Sequence, residues 1–379
     1  MNNINYFPTG IADSESFCNR KLELSKLGQN IVKGAHTLLY SPRRYGKSSL
    51  AKQAVKHAQI PHAEIDFFVA IDATSVEKQF LYGVKQLIQS VSDTPEQWFH
   101  VLRNFFNKAN KKWTIGITGF SLELIPERNN DVAVNILDAL MALEHVLAKK
   151  KQRVLFFIDE FQEISHLAEA KAIEGAIRHF AQSTKHVVFI FSGSNRHLLI
   201  NMFNDRSRPL YLLCDRIQLN RITVADYKIH LNKIAFDTWK AALSETTFQK
   251  IINYTECHPF YVNILCDRLW SHLNNLPTVN DVETVWLSYV NEQRTETRRE
   301  LLTLGTAQLK MLVAIASGEN HALTRLEIQQ KLKLTSSAIT QALQALEEKD
   351  YIEKQEERIF VIINPLLKAS LLQYYHDYF

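Results

Sequence analysis

Glycine and proline are scarce in this chain, at 11 and 9 of 379 residues. So few leave no room for long flexible linkers, and neither an internal repeat nor a low-complexity stretch is present. Cysteine is rarer still. Cys18, Cys214, Cys257 and Cys266 stand far apart, with no CxxC pair and no His/Cys metal spacing. That excludes a disulfide scaffold and a zinc module, and implies isolated, reduced, mostly buried thiols. Long apolar runs are missing too: "VLFFI" and "VVFIF" have strand length and cannot span a bilayer. The first ten residues, "MNNINYFPTG", lack the basic-then-apolar pattern of a secretion signal, so a soluble, cytoplasmic protein without membrane contact is expected. Net charge is only +4, which permits an anionic ligand without announcing a nucleic-acid binder.

What is present suits two or three domains: 46% hydrophobic residues and 22% charged ones supply a core and a solvated surface. Residues 1–222 alternate short β-rich runs ("HTLLYS", "AEIDFFVAID", "RVLFFID", "HVVFIFSG") with helical periodicity. Strands alternating with helices predict a mostly parallel α/β sheet covered on both faces. One stretch, "KWTIGITGFSLELIP", reads as a hairpin inserted into that alternation. Residues 223–299 are helical by period, several segments opening on Ser or Thr caps. Residues 300–379 begin with three helical patterns and then "DYIEKQEERIFVIIN", two short strands around a polar turn, the order of a winged helix-turn-helix.

"SPRRYGKSSL", Ser41 to Leu50, follows a strand pattern and opens an amphipathic helix. It matches G-x-x-x-x-G-K-[ST] except that Ser41 replaces the first glycine. Ser41, Pro42, Arg43, Arg44, Tyr45, Gly46, Lys47, Ser48 and Ser49 therefore form the candidate phosphate cradle. Backbone N–H groups at a helix amino terminus attract anions, Lys47 places a cation on the β/γ oxygens, and Ser48 offers a hydroxyl to Mg²⁺. The first glycine mainly eases the turn, so its loss should cost little. Arg43 and Arg44 either supplement the phosphate charge or face solvent. The first sixty residues carry nine Lys/Arg against three Asp/Glu, an electropositive end.

About one hundred residues on, "RVLFFIDE" is an apolar strand ending in adjacent acids. Asp159 is the candidate metal ligand beside Ser48, and Glu160 the candidate to orient or deprotonate the attacking water. At the end of "HVVFIFSGSN", Ser194 is either a polar contact between γ-phosphate and water or part of a cap for the next helix.

The ordered set "FCNRKLEL", "LLYSPRRYGKSSL", "LFFIDEFQEI", "FSGSNRHLLINMF", "RSRPLY", "ECHPFYVNILCDRLW" and "LGTAQLKMLVAIASGE" resembles the archaeal-type ATPase family, among AAA+ and STAND-like P-loop proteins. The resemblance spans about residues 7–365. It implies an ASCE-type P-loop ATPase core over 1–222, a helical lid over 223–299 and a winged helix with tail over 300–379, with ATP and Mg²⁺ bound. It further implies that Phe17 and Arg20 lie by the adenine and that His258 and Pro259 belong to the lid motif reaching the nucleotide. Read by itself, His258 is equally a half-buried helix-capping residue. Cys257 stands where relatives often have glycine. Arg208, with Arg206 nearby, is either a finger entering a neighbouring subunit of a homo-oligomer or an exposed surface residue; a finger accelerates hydrolysis by roughly 10³-fold or more.

From Leu301 to Ile363, seven Lys/Arg face eight Asp/Glu, a balance of −1. The third helical pattern there offers Ser336, Ser337, Thr340, Gln341 and Gln344 but no arginine in its first turns. Docking of a protein effector or an autoinhibitory role is therefore favoured over DNA reading, whose affinity rests on neutralised phosphates. Three functions fit: an ATP-driven switch or remodeller, a nucleotide-gated DNA-binding regulator or initiator-like protein, and a nucleotide-holding scaffold for a separate effector in a defence or mobile-element system.

Overall fold

The computed structural model describes residues 5–91, 95–108, 113–118, 121–126, 131–355 and 359–375. Its strands are β1 (Thr37–Tyr40), β2 (His62–Asp66), β3 (Trp113–Thr118), β4 (Ser121–Pro126), β5 (Val154–Asp159), β6 (Val187–Gly193), β7 (Asp215–Gln218), β8 (Ile352–Lys354) and β9 (Phe360–Ile362). By chain contacts they fall into two compact units.

Residues 20–43 and 47–219 form the sheet unit. Its five-stranded sheet has the order β2-β5-β6-β1-β7, with all pairs parallel. Alternation along β5 separates Leu155 and Phe157 from Phe156 and Ile158, and all four are at most 2% exposed. Both faces are therefore covered, which is why the strand is apolar throughout rather than alternating. Phe156 of β5 stacks on Phe189 of the neighbouring β6 with centroids 5.8 Å apart, and Phe189 on Phe191 of the same strand at 5.4 Å. β2 is shorter than "AEIDFFVAID" suggests. The Asp66 carboxylate accepts the Phe68 N–H at 2.8 Å and turns the chain into a single 3₁₀ turn, Phe67–Val69. β3 and β4 pair antiparallel as the inserted hairpin; its turn, 119–120, and residue 112 lie outside the described residues.

All strands of a parallel sheet end on one edge. Tyr40 is level with Gly193, Ile158 with Phe191, and Asp66 with Asp159. The residues that follow β1, β5 and β6 consequently emerge together, as ligand sites of open α/β sheets do.

Residues 1–19, 44–46 and 220–379 form the other unit. Side-chain caps open its helices as expected: Thr223, Ser244, Thr278 and Thr335 each accept a backbone N–H three residues on. One core gathers Phe7, Tyr227, Phe248, Tyr261, Cys266 and Trp286. Another gathers Leu312, Ile328, Ile339, Leu346, Ile352 and Leu371 beneath helices Thr306–Ala316, Leu326–Leu332 and Ser336–Glu348. The antiparallel pair β8–β9 follows these, then helix Pro365–Tyr374. All four cysteines are free thiols, Cys214 half-buried and the others buried. Among the described residues no helix is long and apolar enough to cross a membrane.

Candidate functional site

The loop after β1 owes its shape to Arg44 and Gly46, whose φ values are +65° and +90°; Ser41 is not among the left-handed residues. A Cβ on Gly46 would meet nothing within 4 Å, so backbone conformation alone asks for glycine there. The missing first glycine is harmless because Ser41 needs no left-handed geometry. Its side chain is buried, with Oγ donating to the Pro42 carbonyl at 3.0 Å. Lys47, the first residue of helix Lys47–Ala58, is 7% exposed, and its Nζ donates to the Ser41 and Pro42 carbonyls at 3.2 and 3.3 Å. Pro42 and Ser49 are buried and Arg43 is exposed.

Sheet register brings the acids to this loop. The Ser48 hydroxyl donates to Asp159 Oδ2 at 2.9 Å, across 111 residues of sequence. Glu160, at φ 48°, leaves the strand left-handed. Its Oε2 accepts from Ser194 Oγ at 2.8 Å, Ser194 N at 3.1 Å and Gln162 Nε2 at 2.6 Å. Arg43 Nε donates to Ser194 Oγ at 3.3 Å, so loop, β6 end and β5 end form one connected polar set. Burial pushes the Glu160 carboxyl up, but the Gln162 and Ser194 donors and the Lys47 charge outweigh it and hold it below the ordinary range. The two readings of the β6 end are thereby divided between neighbours: Asn195 caps helix Arg196–Asn204 by accepting from Leu198 N, while Ser194 serves Glu160.

Sequence reasoning missed Gln162. It is 1% exposed, with its amide oxygen 1.8 Å from where a Cβ on Gly193 would stand. "DEFQEI" contains no signal for this, because the partner glycine lies on another strand. Gly193→Ala is expected to push Gln162 off Glu160. Steady-state kinetics should then show kcat down about tenfold with KM changed less than about threefold, the mark of a lost positioning contact. An unaltered kcat would count against it.

The remaining candidates lie elsewhere in the chain. Phe17 is half-buried; Arg20 is buried, ends at φ 67° before helix Lys21–Lys33, and pairs with Glu23 at 3.1 Å. Arg208 is not a free surface arginine. Its guanidinium is engaged by Glu174, which is fully buried on helix Ala170–Ser183, whereas Arg206 is exposed. In the other unit, His258 is buried rather than half-buried. It occupies the N-cap of helix Pro259–His272, with Pro259 at the first position, but its side chain makes no cap bond. Its ring lies 4.8 Å from Tyr45 and 4.9 Å from Tyr261, and the Arg44 guanidinium stands 4.0 Å over Phe260. Glu256 and Cys257 before it are both left-handed, at φ 48° and 59°, the conformation that favours glycine at this place.

Burial, then the Arg221 and Arg44 charges, bring the His258 pKa down to about 3. His36 is also lowered by burial; its Nδ1 accepts the Phe189 N–H at 3.1 Å and its Nε2 meets the Ala181 carbonyl at 3.0 Å. Both imidazoles are neutral in the fold and protonate near 6.5 when unfolded. The unfolded chain thus binds the extra protons, so stability held above pH 6.5 is lost on acidification. Each histidine contributes at most about 1.4 kcal/mol per pH unit. Urea midpoints should fall steadily from pH 6.5 to 5; a flat profile would contradict the burial of both rings.

Residues 17–265 match the family described as the ATPase domain predominantly from Archaea. The chain belongs to that family. This archaeal-type ATPase is therefore a P-loop protein that binds and hydrolyses ATP, and the α/β fold expected from its sequence is the one observed. The ATPase is similar in fold to a Walker-type ATPase of Pyrococcus abyssi, with TM-score 0.71 and 17% identity over 97% of this chain and 99% of that one. It is also similar to the Aeropyrum pernix ORC2 protein in its ADPNP–ADP complexes, with TM-score 0.58 and 14% identity over 100% and 98%. No curated protein sequence matches the ATPase.

Proposed function

We propose that this ATPase is a nucleotide-driven switch in which hydrolysis at the sheet edge is coupled to movement of the carboxy-terminal helical regions and remodels a protein partner. The observation that carries it is the pair of contacts that join residues distant in sequence at the sheet edge, Ser48 to Asp159 and Ser194 to Glu160, at 2.9 and 2.8 Å. A hydroxyl and one carboxylate form the sparse oxygen set that suits Mg²⁺ shared with phosphate oxygens. Ser48 and Asp159 would hold that ion, which when bound neutralises charge on the transferred phosphoryl group. Lys47 and the loop N–H groups bind the phosphates, Glu160 takes the proton of the attacking water, and Ser194 with Gln162 fixes the Glu160 carboxylate.

Within this reading, residues 1–222 are the ATPase core, 223–299 the lid and 300–379 a winged helix with its tail. Phe17, Arg20, His258 and Pro259 serve the nucleotide's base and lid side. Arg208 acts within its own chain through Glu174, and any finger in an oligomer falls to Arg206. The −1 balance over 301–363 supports a protein partner for the winged helix rather than DNA.

Steady-state hydrolysis, measured against protein concentration with and without duplex DNA, tests the reading. The rate per chain should be Mg²⁺-dependent, constant with concentration and indifferent to DNA. Stimulation by DNA at low salt would favour the regulator reading instead, and a steep concentration dependence would place an essential residue in trans.

A further inference from the structure

We infer that Arg221 is the positioning residue that passes the state of the phosphate loop to β9 and the last helix. This rests on the proposal that ATP turnover drives a switch, and identifies the contact through which the switch runs. A guanidinium has five N–H donors. Those of Arg221 meet five acceptors: Nε faces Tyr45 Oη at 3.4 Å, Nη1 the Glu256 carbonyl at 2.9 Å and carboxylate at 2.6 Å, and Nη2 the Ile362 and Ile363 carbonyls, both at 3.1 Å. The second Glu256 oxygen accepts from Lys368 Nζ at 2.5 Å.

Three separated segments are thus fastened to one planar group, and a fourth is tied to it through Glu256. They are the loop residues 44–46, the left-handed turn at 256–257, the end of β9, and helix Pro365–Tyr374. Glu256 presents both its carbonyl and its carboxylate to the same guanidinium. Burial lowers the Arg221 pKa, but Tyr45 and Glu256 outweigh it, so the cation is secure in the fold. Because every donor is in use, a shift of Tyr45 changes the geometry of a group that also holds the carbonyls of Ile362, the last residue of β9, and of Ile363 after it. A lysine carries a point charge with three donors and cannot reproduce the fork.

Hydrogen–deuterium exchange over residues 360–374 of the full chain, with and without Mg·ADPNP, tests the relay, with calorimetry of ADPNP on the same samples. Wild type should show a nucleotide-dependent change in exchange of about tenfold, as expected when a ligand shifts a local opening equilibrium. Arg221→Lys should bind ADPNP yet lose that difference. A purely structural role would instead raise exchange equally in both states. Should Arg221→Lys not fold, Lys368→Met cuts only the Glu256 tie, and should reduce the response in 365–374 while leaving that of 360–363. Uptake of ADPNP with no change at 360–374 in wild type, or a full response in either variant, overturns the relay alone. No uptake by wild type overturns the nucleotide reading and the relay with it.

Discussion

Lys47→Ala is expected to weaken ATP binding at least about 100-fold. The ammonium is almost fully buried, at the start of a helix, and faces two loop carbonyls at 3.2 and 3.3 Å rather than open water. Its desolvation is already spent in the fold, so a phosphate oxygen gains a charge-assisted bond without stripping much hydration from it. Such bonds contribute about 1.5–3 kcal/mol each, and 1.4 kcal/mol is a factor of ten. Two phosphate contacts therefore suffice for the expected loss. Alanine keeps the helix start and removes a buried charge, so thermal stability should not fall with affinity. Calorimetry and a melting curve on the same sample separate the effects. A Kd within threefold of wild type would remove Lys47 from the phosphate site.

Glu160→Gln should leave ATP binding intact and slow turnover about 1000-fold, within the range of general-base catalysis. The glutamine oxygen can still accept the Ser194 and Gln162 bonds that the carboxylate accepts at 2.6 to 3.1 Å. Geometry is thus preserved while basicity is removed. Steady-state phosphate release combined with ADPNP calorimetry reads both halves. Turnover near the wild-type rate would show that the proton leaves by another route.

The sheet was legible because a parallel strand buried on both faces leaves an apolar run with polar ends, as "VLFFID" does at 154–159. β7 was not legible, since only Ile217 of its four residues is buried. Helix Pro95–Lys108 and helix Pro365–Tyr374 also passed unnoticed; the latter starts on an Asn364 cap and a proline, signals that were present but weighed as tail. At the site, spacing between motifs identified the loop and the acid pair, both of which are local patterns. Distance in sequence hid the rest. Gln162 depends on Gly193, Arg208 on Glu174, and Arg221 on acceptors at positions 45, 256, 362 and 363. Alternation also fails where a strand ends, which is why the sequence left Ser194 between a site contact and a helix cap until its bond to Glu160 and the Asn195 cap were seen.

Phe7 packs edge-on against Trp270 at 4.9 Å, and Asn263 donates to the Pro8 carbonyl at 2.8 Å. During synthesis at roughly 5–20 residues per second, the amino-terminal segment must wait roughly 13–50 s for those partners to be made. The five-stranded sheet, complete by Gln218, can assemble meanwhile. Phe7 lacks its Trp270 partner throughout that interval, so this corner of the helical core closes only after synthesis has passed residue 270.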